Sequence, residues 1–227
     1  KSGTGSGGAV NTAYTTNLVD GFREYKNIIL NEELLQVYEK WVGENPFDNA
    51  GGAWASEPWF QKEMPVSLEL AKKARETSNK ALVVIGRTAG EDKDYEAVEG
   101  SYFLTQEEKK LLETVAEVFE DTAVILNVSN IIDMSWLECL EHKEHIRSVL
   151  YTWQGGVEAG RASADVLTGA VTPSGKLPDT IAYDIKDYPS TENFGNKEKN
   201  FYKEDIYVGY RYFETFAPEK VQFPFGF

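Results

Sequence analysis

Carboxylates crowd one short stretch of the chain. Gly86-Arg-Thr-Ala-Gly-Glu-Asp-Lys-Asp-Tyr95 carries Glu91, Asp92 and Asp94, with Gly86 and Gly90 available to shape a turn. A carboxyl group there could act as a general acid, ligate a metal or sit solvated. The bare residues favour solvated charge. Glycine spacing offers a second candidate, since Gly3-Thr-Gly5-Ser-Gly7-Gly8 fits the Gly-x-Gly-x-x-Gly pattern of dinucleotide loops. That pattern needs a strand before it, a helix after it and an acidic residue about 20 positions on. No strand is in view before Gly3, and residues 11–16 make a poor helix start. The glycines point instead to a loop whose backbone approaches another group closely, or to a flexible tail. Val149-Leu-Tyr-Thr-Trp-Gln-Gly-Gly-Val-Glu158 ends a strand and opens a helix, whose free N–H groups could hold an anion. Its small residues argue rather for close helix packing. His142 and His145, three apart among Glu138, Glu141 and Glu144, superficially resemble a metal-binding face. The segment is densely charged and shows no closed ligand set, so a solvated face is the expectation and no metal is assigned. Ser101 and Ser129 have no partner histidine nearby in sequence, and no Gly-x-Ser-x-Gly elbow occurs, so serine-hydrolase chemistry is unsupported.

The elements that must position these groups alternate. Apolar, β-branched runs at 27–30, 81–86, 123–128 and 148–153 are nearly continuous, which predicts strands of a parallel sheet covered on both faces. Thr105-Gln-Glu-Glu108 is a capping box before Leu111, Leu112, Val115, Val118 and Phe119 on one helical face. Asn31 caps a second helix through Leu34, Leu35, Tyr38, Trp41 and Val42, and Ser67 opens a third. A small-residue helix begins at Gly156 and closes at Gly169. This alternation predicts an α/β fold with right-handed crossovers. Two loops, 44–65 and 87–105, are longer than connections need to be. The second follows the best strand, where open α/β sheets build ligand sites. The texture changes again after Pro173-Ser-Gly-Lys-Leu-Pro178, where the chain becomes rich in Tyr and Phe.

Length and composition set the outer bounds. The 227 residues, 41% hydrophobic and 13% aromatic, can bury a sizeable core and predict a single domain over 1–227. A formal charge of −14 argues against nucleic acid and anionic membrane as partners, because both are bound through basic surface. The longest apolar runs reach five or six residues, too few to span a bilayer. Cys139 has no partner for an internal disulfide. With no secretory signal in view, the chain leans weakly cytoplasmic.

Several of these segments, in this order, resemble the second domain of glycoside hydrolase family 3, the α/β domain of many β-glucosidases. Lys1-Ser-Gly-Thr-Gly-Ser-Gly7 is similar to that family's glycine-rich loop, and Gly90-Glu91-x-x-Asp94 to its Gly-Glu-x-x-Asp loop. Trp153-Gln-Gly-Gly-Val-Glu158, Pro173-Ser-Gly-Lys-Leu-Pro178, Asp205-Ile-Tyr-Val-Gly-Tyr-Arg-Tyr212 and Phe223-Pro-Phe-Gly-Phe227 continue the collinear series.

The resemblance implies a three-layer α/β/α sandwich with a mostly parallel sheet. It implies a retaining exo-β-glycosidase, most simply a β-glucosidase, acting on β-linked oligosaccharides or aryl and alkyl glucosides without a cofactor. Glu91 is then the general acid/base. Ser6 reaches the sugar of the −1 subsite, Trp54 offers an aromatic face to the leaving-group subsite, and Gly90 and Asp94 shape the loop. The aspartate nucleophile is expected on a partner (β/α)8 barrel of the same enzyme, outside these residues, so that the chain alone is inactive. Two departures stand out: Tyr95 follows Asp94 where relatives often carry Arg, and Pro178-Asp-Thr-Ile-Ala replaces Pro-x-Thr-x-Pro. The alternative is a non-catalytic α/β module that binds a sugar or nucleotide.

Overall fold

A computed structural model describes residues 4–5, 8–9, 12–53, 55–88 and 92–227. It divides into two compact units, Lys1–Asn130 with Leu140–Pro173, and Ile131–Cys139 with Ser174–Phe227. The second unit takes over within a residue of Pro173, where the sequence changes texture.

The first unit contains the two-residue strands β1 (Thr4–Gly5) and β2 (Gly8–Ala9), paired antiparallel with Thr4 opposite Ala9. Helices α1 (Leu18–Arg23), α2 (Glu32–Glu44) and α3 (Leu68–Arg75) follow, then β3 (Ala81–Gly86), α4 (Gln106–Val118), β4 (Thr122–Asn127), β5 (Ile146–Tyr151) and α6 (Ala159–Leu167). A four-residue helix, α5 (Trp136–Cys139), belongs to the second unit. The sheet is parallel with strand order β3-β4-β5, as an α/β chain requires. Ala81 to Gly86 pair with Thr122 to Asn127 without a slip, while a bulge after Thr122 shifts β5 by one residue.

Caps fix the helix starts. Asn31 and Ser67 side chains accept from the N–H groups of Leu34 and Leu70, and Thr105 with Glu108 closes a reciprocal capping box. The apolar face of α4 (Leu111, Leu112 and Val115) is buried, as are Val83, Ile85, Val124 and Leu126 in the strands, and α4 packs beside β3. The small residues of α6 serve close packing. A Cβ on Gly160 would land on the Asn17 carbonyl, and one on Gly21 of α1 would land on the Gly160 carbonyl. Side chains at either place would push α1 and α6 apart.

Two strand expectations change. Residues 27–30 form no strand. They run between a turn, where the Ile28 N–H donates to Tyr25 O, and the Asn31 cap, and Ile29 is 92% exposed. Apolar residues without a ladder partner do not make a strand. Strand β3, expected to be covered on both faces, alternates: Val83 and Ile85 are buried, whereas Leu82 and Val84 are 43% and 42% exposed. It is an edge strand among the described residues, and only its inward face joins the core.

In the second unit β6 (Ile181–Ala182) pairs antiparallel with β7 (Val221–Phe223), and α7 (Tyr210–Phe216) brings Phe213 against Ala182 and Ala217. The Tyr188 hydroxyl accepts from the Ala182 N–H and donates to Thr180 O, and its ring meets Phe213 edge-on at 5.2 Å. Gln222 donates to Met134 O, tying the Ile131–Cys139 segment to this unit.

Gly160→Ala is therefore expected to destabilise the protein by about 1–3 kcal/mol, the cost of overpacking. Urea or thermal unfolding should show it, with Gly175→Ala, whose Cβ meets nothing, as the control.

Candidate active-site loop

Parallel register aligns the strand ends. β3, β4 and β5 finish at Gly86, Asn127 and Tyr151, and one further bond extends each ladder: Arg87 N–H to Asn127 O at 3.1 Å, and Thr152 N–H to Leu126 O at 3.0 Å. The segments 87–105 and 152–158 thus leave from one edge of the sheet. Trp153 turns there with a left-handed φ of 52° and its ring packs on Tyr151 at 4.9 Å.

Arg87 holds the loop that follows β3. Its side chain has no exposed surface and uses all five of its N–H groups. Nε donates to Ser101 O at 3.0 Å. Nη1 donates to Gly86 O and to Glu108 Oε1 (2.8 and 2.5 Å), and Nη2 to Phe103 O and Glu108 Oε2 (3.3 and 2.9 Å). The same Oε2 accepts from the Thr105 N–H, so one carboxylate caps α4 and neutralises the arginine. The loop is closed at its base, because residue 87 is bonded to residues 101, 103 and 108.

A second loop lies against the first. Thr88 N–H donates to Trp59 O at 2.6 Å, and Trp59 Nε1 donates back to Asp94 O at 3.2 Å. Lys93 sends Nζ to the carbonyls of Ala55 and Glu57 and places it 5.5 Å from the centre of the Trp59 ring. Gly100, with φ of 76°, lets Phe60 lie directly over its backbone, where a Cβ would strike the ring. Ala55 and Asp92 hold left-handed φ values of 51° and 59°, conformations that cost non-glycine residues about 1–3 kcal/mol.

Three part-buried groups of this unit have shifted titration. Burial pushes Glu63 up to about 6 from its ordinary 4.5, opposed by the hydrogen bond from Met64 N–H and assisted by the nearby Glu108 charge. Burial, reinforced by Glu63, pushes the Tyr38 hydroxyl up to about 12. Tyr95 is likewise raised by burial, with Ser129 and Arg87 pulling the other way.

Of the residues singled out in the sequence, Ser6, Trp54, Gly90 and Glu91 lie outside the described residues. Asp94 lies within them, and its backbone carbonyl serves the Trp59 bond that joins the loops. The glycine-rich start is represented by the β1–β2 pairing alone. The structure adds Arg87, Trp59 and Lys93 as the residues that anchor the loop on either side of positions 89–91. Adjacency to the strand end was the available signal for Arg87.

Comparisons with known proteins converge. The model of the glycosyl hydrolase family 3 C-terminal domain matches residues 1–210. A β-glucosidase of Ruminococcus albus is 50% identical over 227 residues, all of this chain and 23% of that protein. A solved β-glucosidase from Paenibacillus barengoltzii superposes with a TM-score of 0.95 at 60% identity, over 99% of this chain and 24% of that one. β-Glucosidase 3B from Thermotoga neapolitana, solved in complex with glucose, gives 0.82 at 31% identity over all of this chain and 32% of that one. The chain thus spans about a quarter to a third of the length of these relatives.

Two outcomes are expected from this geometry. Arg87→Ala strands the Glu108 carboxylate in the interior and should cost about 3–5 kcal/mol, read by denaturant unfolding; simultaneous Glu108→Leu should recover part of it. Glu63 titrates near 6 folded and near 4.5 in its ordinary state, so the fold favours its protonated form. Its contribution is present below about 4.5 and is lost as pH rises through about 6. Glu63→Gln should abolish that slope in a pH series of melting temperatures and stabilise the protein at pH 7 by up to roughly 2 kcal/mol.

Proposed function

The chain belongs to the glycosyl hydrolase family 3 C-terminal domain family, and from that premise we propose that it contributes the general acid/base, Glu91, to a retaining β-glucosidase. The observation that carries this reading is the doubly anchored loop. Glu91 falls in sequence between Thr88, bonded to Trp59, and Lys93, bonded to residues 55 and 57, at the strand edge where α/β sheets gather ligand sites.

A retaining glycosidase needs two carboxyl groups about 5–5.5 Å apart, one to attack the anomeric carbon and one to protonate the departing oxygen. The attacking aspartate would come from a (β/α)8 barrel in the rest of the polypeptide, in keeping with relatives three to four times longer than this chain. Glu91 would deliver its proton to the leaving group and then, as carboxylate, take one from the water that releases the sugar. Anchoring the loop at Arg87 and Lys93 fixes the chain on both sides of this residue, which favours the transition-state geometry over the many poses of a free loop. Ser6 would hydrogen-bond the sugar being transferred and Trp54 would stack on the leaving group. Asp94 shapes the loop. Substrates would be β-linked glucosides, as the names of the relatives suggest.

The test is Glu91→Gln in the full-length protein. Glucosides with poor leaving groups should lose about 10²–10⁴-fold in rate, while dinitrophenyl glucoside, which needs little protonation, should still form the glycosyl-enzyme. Azide, attacking without a base, should restore turnover and yield β-glucosyl azide. Asp92→Asn and Asp94→Asn should show neither effect. Equal losses for every leaving group, or azide rescue at Asp92, would remove Glu91 from the role.

A further inference from the structure

On the opposite edge of the sheet, where β5 begins, a turn of 3₁₀ helix spans Lys143–His145 with His142 at its cap position. His145 N–H donates to His142 O at 3.0 Å, and in a 3₁₀ turn residues three apart eclipse one another. The two imidazoles accordingly stack, with centres 5.4 Å apart and planes within 8° of parallel. Glu144 reaches both of them. Its Oε1 lies 3.8 Å from His142 Nδ1 and 3.8 Å from His145 Nε2, and all three donor atoms fall within 4.8 Å of one another.

The decisive feature is the other nitrogen of His145. Nδ1 lies 2.7 Å from Ala116 O, in α4. A carbonyl can only accept, so Nδ1 carries the proton, and Nε2 is the nitrogen left facing Glu144 as a potential ligand. Metal-binding histidines are held in this way, one nitrogen fixed by a backbone carbonyl and the other left to the ion. The densely charged sequence around 138–145 suggested a solvated face because ring orientation cannot be read from spacing.

We propose that His142 Nδ1, His145 Nε2 and the Glu144 carboxylate bind one zinc ion, with water as fourth ligand. Zinc takes imidazole nitrogen and carboxylate oxygen at about 2.0–2.2 Å in a tetrahedron, which sets donors about 3.3–3.5 Å apart. Each histidine–glutamate pair must close by roughly half an ångström from its 3.8 Å, and the two imidazole donors, which lie within 4.8 Å of one another, by up to about 1.5 Å, so the more exposed His142 ring must turn out of the stack while His145 stays on Ala116. Magnesium and calcium prefer all-oxygen sets and do not suit these donors, whereas Cu²⁺ and Ni²⁺ would compete. The ion would clip the turn before β5 and, through His145, fasten it to α4. It would take no part in glycoside chemistry, which is assigned to the far edge of the sheet.

The test titrates Zn²⁺ into metal-free full-length protein against a chromophoric chelator. One zinc per chain should bind with micromolar or tighter affinity. His142→Gln, His145→Gln and Glu144→Gln should each weaken it at least tenfold. Cys139→Ser, which removes the exposed thiol, should leave it unchanged. Co²⁺ in place of zinc should give the strong visible absorption of a four-coordinate ion, and Mg²⁺ should not displace it. His142→Gln keeps the His145 bond to Ala116, so it reports on ligation even if His145→Gln unfolds. Affinity unaltered in His142→Gln and Glu144→Gln, binding weaker than about 100 μM, or a six-coordinate cobalt spectrum would overturn the assignment.

Discussion

One buried ion pair governs the geometry of the loop after β3. Taking Arg87 and Glu108 out of water carries a penalty of several kcal/mol per ion, which their attraction offsets only with full hydrogen bonding. That condition is met: every guanidinium N–H has an acceptor, and Glu108 also takes the Thr105 N–H. Such pairs add little net stability compared with a well-packed apolar substitute, so their effect is better sought in what they specify. Here the specification is positional. The three carbonyls that Arg87 satisfies belong to residues 86, 101 and 103, so one guanidinium joins the end of the strand to the far end of the loop.

Closing the base fixes only the ends of the loop, and the cost of that closure grows only slowly with loop length. The 55–60 segment removes much of it. Lys93, Asp94 and Thr88 are bonded to that segment by backbone carbonyls and the Trp59 indole, and Phe60 occupies the space that Gly100 leaves open. Two left-handed residues, Ala55 and Asp92, lie on either side of this junction. Strain of that kind persists where surrounding contacts over-determine the backbone. The paired loops meet that description, because bonds from Thr88, Lys93 and Asp94 and the Phe60 ring over Gly100 hold the backbone on both sides.

The sequence made the framework legible and the junction opaque. The strand at 81–86 and the starts of α2, α3 and α4 follow from apolar runs and capping residues, which are local signals. Residues 27–30 are as apolar as a strand but have no ladder partner among the described residues, and pairing is a long-range property that composition does not carry. The alternation of burial in β3 has the same origin, because edge position depends on strand order. Arg87 reads in sequence as one charge among several in a polar loop; only the fold brings Ser101, Phe103 and Glu108 around it. Asp94 enters through the residue type of the loop pattern, whereas its bond to Trp59 comes from the backbone carbonyl, which any residue could supply. The Glu-x-x-Asp spacing was informative because it resembled a family pattern, not because carboxylates at that spacing demand one chemistry.

Burial and exposure divide the sheet's two edges between different tasks. The edge at Gly86, Asn127 and Tyr151 carries paired loops with a buried ion pair beneath. The edge at Thr122 and Ile146 carries a short turn whose histidines are part-exposed, 36% at the His142 side chain and 22% at His145. Six-residue strands separate the two edges by roughly 20 Å, which exceeds the range over which substitutions usually couple. A buried β4 lies between them, with Val124, Ile125 and Leu126 almost fully enclosed. Such a strand transmits position but offers no second arrangement through which one edge could bias the other. A metal at the turn would therefore act first on the α4–β5 corner at Ala116, and α4, which carries Glu108 at its other end, is the one described element bonded to both the turn and Arg87.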